Sequence, residues 1–315
     1  MTRPTLRAAA LLGAVALTMA ASVLPASASM PTSERGPACV QPDDLGAGAR
    51  SGGQVRGVDH RDVSVSEQRA IERRTADLLA AKGARGGGAA EARVAGTTVP
   101  VYIHVMRASD GVTGDVTNTQ IADQITVLNT TFGGGESRAA ANTGFVFNLA
   151  GVNRYDNNSW HQDKSSTKYR SQTRLGGKNA LNIWLVDFKY LGIATFPWDY
   201  SRSGAIDGIR VHYDSLPGGG IANYNLGETA THEAGHWFGL YHTFQGGCTD
   251  LNDEVADTPA QSSPTNGCPT GRDSCALAGL DPIHNYMDYS YDSCYNQFTA
   301  NQSTRTANMW TAYRG

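Results

Sequence analysis

Thr231-His232-Glu233-Ala234-Gly235-His236-Trp237-Phe238-Gly239-Leu240-Tyr241-His242 places three of the chain's eight histidines within one short segment. Histidines four apart share a helix face, so His232 and His236 can hold one cation together. Gly239 can take the left-handed conformation that ends a helix. The chain can then turn sharply and bring His242 back as a third ligand. Three imidazoles suit zinc and leave a fourth position for water, the mark of a catalytic rather than a structural site. Glu233, beside the first ligand, can accept a proton from that water. The competing reading is an amphipathic helix with solvated surface histidines, which leaves the spacing unexplained. His104, His161, His212 and His284 each stand alone and read as structural or surface residues.

The helix that carries these ligands needs a start and a platform. Asn225 is a good N-cap, and Glu228 three residues on completes a capping box. Upstream, Val99–Val105 reads as a strand, as do residues 145–149, 181–186 and 207–213. Ile121, Ile125, Leu128 and Phe132 recur at helical spacing within residues 119–132. After the ligand helix the chain is rich in Gly, Asp, Asn and Ser and holds four of the five cysteines. The order is therefore mixed strand and helix first, then loops. No internal repeat is visible.

The N-terminal third has a different character. Arg3 and Arg7, the apolar run from Ala8 to Leu24 and Ala26-Ser27-Ala28 make a secretory signal over residues 1–28. The apolar run is short for a membrane span, and no basic stop-transfer cluster follows. Residues 29–95 contain no aromatic side chain and read as a pro-segment, or as a disordered spacer. One helix is predicted there, over residues 66–82, with Ser64 and Glu67 at capping spacing. The folded domain is expected over residues 96–315. The 315 residues carry 26 Lys plus Arg and 29 Asp plus Glu, a net charge of −3, so a nucleic-acid partner is not indicated.

The extended histidine motif resembles that of the metzincin metallopeptidases. Within Asn285-Tyr286-Met287-Asp288-Tyr289, Met287 resembles their Met-turn methionine, and Tyr289 the tyrosine that such enzymes place near the metal. Its phenol could donate to the oxyanion of a tetrahedral intermediate. Tyr224-Asn225-Leu226-Gly227-Glu228-Thr229-Ala230-Thr231, Leu191-Gly192-Ile193-Ala194-Thr195-Phe196-Pro197, Asp207-Gly208-Ile209-Arg210-Val211 and Val255-Ala256-Asp257-Thr258-Pro259 are similar to the pappalysin family. The resemblance covers residues 97–315. It implies an α+β metzincin fold, in which a twisted mixed sheet with two long helices (about residues 96–241) lies over an irregular, disulfide-stapled C-terminal subdomain (about 242–315). A cleft between them would take protein or peptide substrates in extended form. The resemblance puts the substrate-pairing sheet edge near Asp207 to Pro217, with Gly218-Gly219-Gly220 leading away.

Four cysteines allow three pairings, and spacing does not choose among them. The resemblance implies Cys248–Cys275 and Cys268–Cys294. A second zinc site on these cysteines is the other reading, although no Cys-x-x-Cys pair is present. Cys39 is left over in the pro-segment, where its thiolate could occupy the open zinc position as a zymogen latch, or be incidental. Asp250, Asp253, Asp257 and Thr258 form an oxygen-rich loop that could hold calcium; a solvated acidic loop is the alternative. The expectation is a secreted, monomeric zinc endopeptidase without a nucleic-acid or membrane partner. An inactive binding module and a glycan hydrolase using paired acidic residues are the competing classes. The first does not explain the intact Glu233, and the second leaves the three histidines without a role.

Overall fold

The computed structural model describes residues 63–83 and 87–315. The signal sequence expected over residues 1–28 and Cys39 lie outside the described residues. In chain order the main elements are α1 (Val65–Ala81), α2 (Gly87–Val94), β1 (Thr97–Arg107), α3 (Asn118–Phe132), β2 (Phe145–Asp156), the short helices α4 (Asn158–His161) and α5 (Ser166–Thr173), β3 (Leu181–Val186), β4 (Gly192–Ala194), α6 (Tyr200–Ser203), β5 (Ile209–His212), α7 (Glu228–Trp237) and α8 (Ala300–Met309).

The five strands form one mixed sheet in the order β2-β1-β3-β5-β4. β1, β2, β3 and β5 run parallel; β4 pairs antiparallel with β5, with Ile193 opposite Arg210. A parallel strand is buried on both faces, which is why β1 and β3 read as near-continuous apolar runs. Their side chains divide between two cores. Val99, Val101, Ile103, Val105, Leu181, Ile183 and Leu185 face α3 and α7. Met106, Trp184 and Val186 face Tyr169 of α5 and Phe188 on the opposite side.

The substrate-edge expectation needs correction. Residues 207–217 contain β5, which lies inside the sheet; the edge on that side is β4, and β2 forms the other edge. Three residues, Gly-Ile-Ala, are too few to show an alternation, so the strand forms because β5 offers it a partner. The C-terminal stretch also departs from the expectation of loops alone, because it ends in α8. Thr299 and Gln302 cap α8 reciprocally, the Thr299 hydroxyl accepting from Gln302 N and the Gln302 amide oxygen from Thr299 N.

Helix α1 begins at Ser64, whose hydroxyl accepts from Glu67 N at 3.3 Å. It has too few apolar residues for a core of its own, and Ile71 packs instead with Phe196, Trp198, Tyr241 and Met309. Gln68 donates to Asn252 O, and Glu72 pairs with Arg305 of α8 at 2.7 Å. Helix α2 is embedded more deeply: Ala90 and Val94 belong to the main core.

Candidate active site and metal centre

Every residue of α7 is buried. Its start is not built as the local sequence suggests. Gly227, at φ 97°, occupies the N-cap, and Asn225 donates from its side chain to Gly219 O. Asp292 comes from 64 residues downstream of Glu228 to do the capping: its carboxylate accepts from Leu226 N at 2.8 Å and from the backbone of Gly227 and Glu228. Burial pushes Asp292 up to about 7 against those hydrogen bonds. The Glu228 carboxyl is held well above the usual carboxylate range, first by burial, then by Glu136 and Asp292.

The far end of α7 is braced by charge. Asp207 accepts from Trp237 Nε1 at 3.0 Å and from both terminal nitrogens of Arg314 at 3.0 and 3.1 Å. Arg314 also donates to Trp237 O and lies over its ring, 3.6 Å from the centroid. Neither residue stands out in the sequence, because a buried ion pair across 107 positions leaves no local pattern.

His232 and His236 share the inner face of α7. Gly239 takes φ 96°, as expected of the helix end, and the chain returns to place His242 beside them. The three Nε2 atoms form a triangle with edges of 3.2, 3.2 and 3.1 Å. The opposite nitrogens show why. His232 Nδ1 meets Tyr286 O at 2.6 Å, and His236 Nδ1 meets Leu240 O at 2.8 Å. A carbonyl only accepts, so in His232 and His236 Nδ1 carries the proton and Nε2 presents a lone pair toward Nε2 of His242. Lone pairs converging at this distance repel unless a cation lies among them. The donor set therefore fits a metal ion.

Two glycines give this arrangement its clearance. A Cβ on Gly235 would stand 2.4 Å from Met287 Sδ, so only glycine lets the methionine sit directly beneath the ligand helix. A Cβ on Gly192 would stand 2.2 Å from Glu233 Oε1. The free edge strand thus passes directly against the carboxylate, a role for Gly192 that sequence spacing does not reveal. Tyr289 lies with its ring centroid 4.8 Å from that of His242 and 5.6 Å from that of His232. Phe244 stacks on His242 at 4.5 Å, and Phe196 meets His236 edge-on.

The isolated histidines have structural partners. His104 is buried against Trp184 with Asn182 as its hydrogen-bond partner, and burial lowers it to about 4. His161 bonds Met106 O, His212 faces Asp187 at 3.2 Å and His284 bonds Cys294 O. The disulfides are Cys248–Cys275 and Cys268–Cys294.

The acidic loop is divided among several tasks. Asp257 accepts from Thr299 Oγ1 and Asn301 N at the start of α8. Asp253 Oδ1 accepts from Thr258 Oγ1 and Val255 N. Asp253 Oδ2 and Asn252 Oδ1 are buried with no hydrogen-bond partner, and burial pushes Asp253 up to about 7. Asp250 is exposed. Among the described residues, these carboxylates do not converge as a three-ligand group, whereas His232, His236 and His242 do.

Comparison with known proteins gives this geometry a family. Residues 188–311 match the peptidase family described as pregnancy-associated plasma protein-A. An extracellular metalloprotease of Sordaria macrospora is 47% identical over 246 residues, 76% of this chain and 82% of that protein. The chain belongs to the pappalysin family. A second extracellular metalloprotease, from Neurospora crassa, is 46% identical to this pappalysin over 246 residues, with the same coverage of both chains. Mature mirolysin of Tannerella forsythia with a cleaved peptide superposes with TM-score 0.57 at 31% identity, covering 66% of this chain and 89% of that one. A promirolysin variant superposes at 0.63 and 27% identity, and covers 80% of this chain and 92% of that one. The protein is a metalloendopeptidase with a metzincin fold.

Proposed function

We propose that this pappalysin is a secreted endopeptidase that binds zinc through His232, His236 and His242 and cuts protein substrates held in extended form. The observation that carries the reading is the triangle of Nε2 atoms, with edges of 3.1–3.2 Å. Nitrogen ligands of a tetrahedral zinc lie about 3.3–3.4 Å apart, so the donor set fits. When bound, zinc supplies Lewis acidity toward a water molecule and the scissile carbonyl. Glu233 accepts a proton from the attacking water and later returns it to the leaving amine. Tyr289 donates its phenol hydrogen to the developing oxyanion. The substrate backbone pairs with β4, whose outer side carries no strand among the described residues.

In the expected test, denatured casein is digested by the processed protein, the digestion stops with 1,10-phenanthroline and resumes with zinc. Glu233→Ala should lower turnover by about 10²–10⁴-fold while zinc stays bound. Full activity in that variant would refute the role of Glu233.

The extracellular names of the relatives support secretion, as does the leader-like sequence at residues 1–28. No helix among the described residues is long and apolar enough to cross a membrane. The wider match to promirolysin, 80% of this chain against 66% for mature mirolysin, supports a pro-segment ahead of the folded domain. Because α2 lies in the core, we place the end of that segment between α1 and α2. The latch reading of Cys39 falls outside the described residues, and a Cys39→Ala precursor as latent as the wild type would refute it. Calcium at the loop of Asp250, Asp253, Asp257 and Thr258 would have to draw these carboxylates together, and the observation in its favour is the buried Asp253 Oδ2 without a hydrogen-bond partner. Calcium should raise the melting temperature of chelator-treated protein, and an equal rise with magnesium would count against the assignment. The enzyme acts as a monomer, which light scattering tests, with no nucleic-acid or membrane partner.

A further inference from the structure

The two disulfides differ in their surroundings. In Cys268–Cys294 one sulfur belongs to an exposed residue, and the other to a residue buried to 3% exposure. The His284 ring lies over the buried end, with Nδ1 2.6 Å from Cys294 O and 3.5 Å from Cys294 Sγ. In Cys248–Cys275 the sulfur open to attack, that of the exposed Cys248, lies instead 3.6 Å from the Ser274 carbonyl oxygen, which faces an approaching thiolate. An imidazolium stabilises a neighbouring thiolate, and a carbonyl oxygen repels one.

We propose that Cys268–Cys294 is a thiol-exchange site, at which a low-molecular-mass thiol is captured on Cys268 while Cys294 leaves as a thiolate beside His284. The attacking thiolate approaches Cys268, the exposed residue of the pair, rather than the buried Cys294. The Cys268–Cys294 bond breaks, and a bond forms between Cys268 and the incoming sulfur. The bonding electron pair goes to Cys294, and the proton lost by the small thiol ends on Cys294 or on His284. One disulfide replaces another, so no oxidant or reductant beyond the thiol is required. A better-stabilised leaving thiolate departs faster, which is what the imidazole beside Cys294 provides.

The exchange reaches the active site through Asp292. Cys294 closes the turn Asp292–Cys294, its N–H donating to Tyr291 O at 2.8 Å. Asp292 caps the ligand helix, and the Tyr295 hydroxyl donates to the carbonyl of Asp288 beside the Met-turn. Capture of a thiol removes the covalent tether from the turn that starts α7 and supports Met287.

The test incubates the processed protein with millimolar reduced glutathione, quenches in acid and maps the peptides. The expected result is a glutathione adduct on Cys268, with Cys248–Cys275 intact. His284→Asn keeps a donor for the Cys294 carbonyl without an imidazole, and should slow adduct formation at least about fivefold. Casein turnover should fall in step with the modified fraction and return on reoxidation. An adduct arising first on Cys248 or Cys275 would overturn the proposal, and so would equal rates in His284→Asn. If that variant misfolds, the wild-type map alone decides. Unchanged turnover in fully modified protein would overturn the link to α7. The mass map stands apart from the peptidase reading, so either can fail without the other.

Discussion

Above the metal, the chain buries valine, isoleucine, leucine and phenylalanine against a sheet, and the buried carboxylate at the far end of the ligand helix, Asp207, meets the guanidinium of Arg314. Below the metal it buries carboxylates against backbone N–H groups and hydroxyls. Asp288 accepts from Thr265 N, Tyr289 N and Gln261; Asp292 accepts from the start of α7; Asp253 accepts from Thr258 and Val255. Burial raises all three. The upper half is held by apolar area, which depends little on pH. The lower half has little such area and uses acidic side chains and disulfides as fasteners, so its order should follow solution conditions. The proposed metal ligands meet at the seam, His232 and His236 from above and His242 from the turn between the halves.

The contrast can be broken most forcefully at Asp207. Asp207→Ala leaves the Arg314 guanidinium buried without its carboxylate and should cost about 3–5 kcal/mol in urea unfolding. A cost below about 1 kcal/mol would mean that the apolar core holds the ligand helix unaided. Next comes the seam. Gly239→Ala forces a Cβ into left-handed backbone, 2.7 Å from Met309 Cγ. It should cost about 1–3 kcal/mol and weaken zinc retention with it, because the turn places His242.

The lower half should respond to pH. Asp292 sits at about 7 in the folded protein and near 4 when unfolded, so between these values the folded state holds the extra proton. Stability from this group is complete below about pH 4 and is lost as pH rises toward 7, by at most about 1.4 kcal/mol per pH unit. Asp292→Asn removes the titration, and its unfolding free energy should fall less steeply than that of the wild type across that range. Parallel slopes would contradict the assignment. The smallest effect is expected on the outer strand, where Val146 is 47% exposed. Val146→Thr should change stability by no more than about 0.5 kcal/mol.

Legibility in the sequence follows the same division. The period of Ile121, Leu128 and Phe132 and the apolar runs of β1 and β3 are local, and the structure forms those elements within a few residues of where the pattern puts them. The three histidines are legible because sharing one cation would impose its own spacing. What escapes the sequence is built by partners far along the chain. Asn225 looks like the cap of α7, but Asp292 takes that place. β4 has no pattern of its own and exists because β5 does. The cysteine pairing follows from family resemblance, since spacing allows three solutions. Helix α8 did leave a signal, the Thr299–Gln302 capping box, but the sparse apolar residues around Ala307 and Met309 hide it.

The absence of a side chain at Gly192 has a consequence for how this enzyme can be altered. The rail that would align a peptide and the carboxylate that would take up its proton are separated by a single atomic clearance. Grip and chemistry therefore cannot be tuned independently at this point. Any graft that strengthens the hold on substrate by thickening the strand here also pushes on the carboxylate. Selectivity would have to be redesigned further out, where the walls of the cleft are not shared with the reacting group.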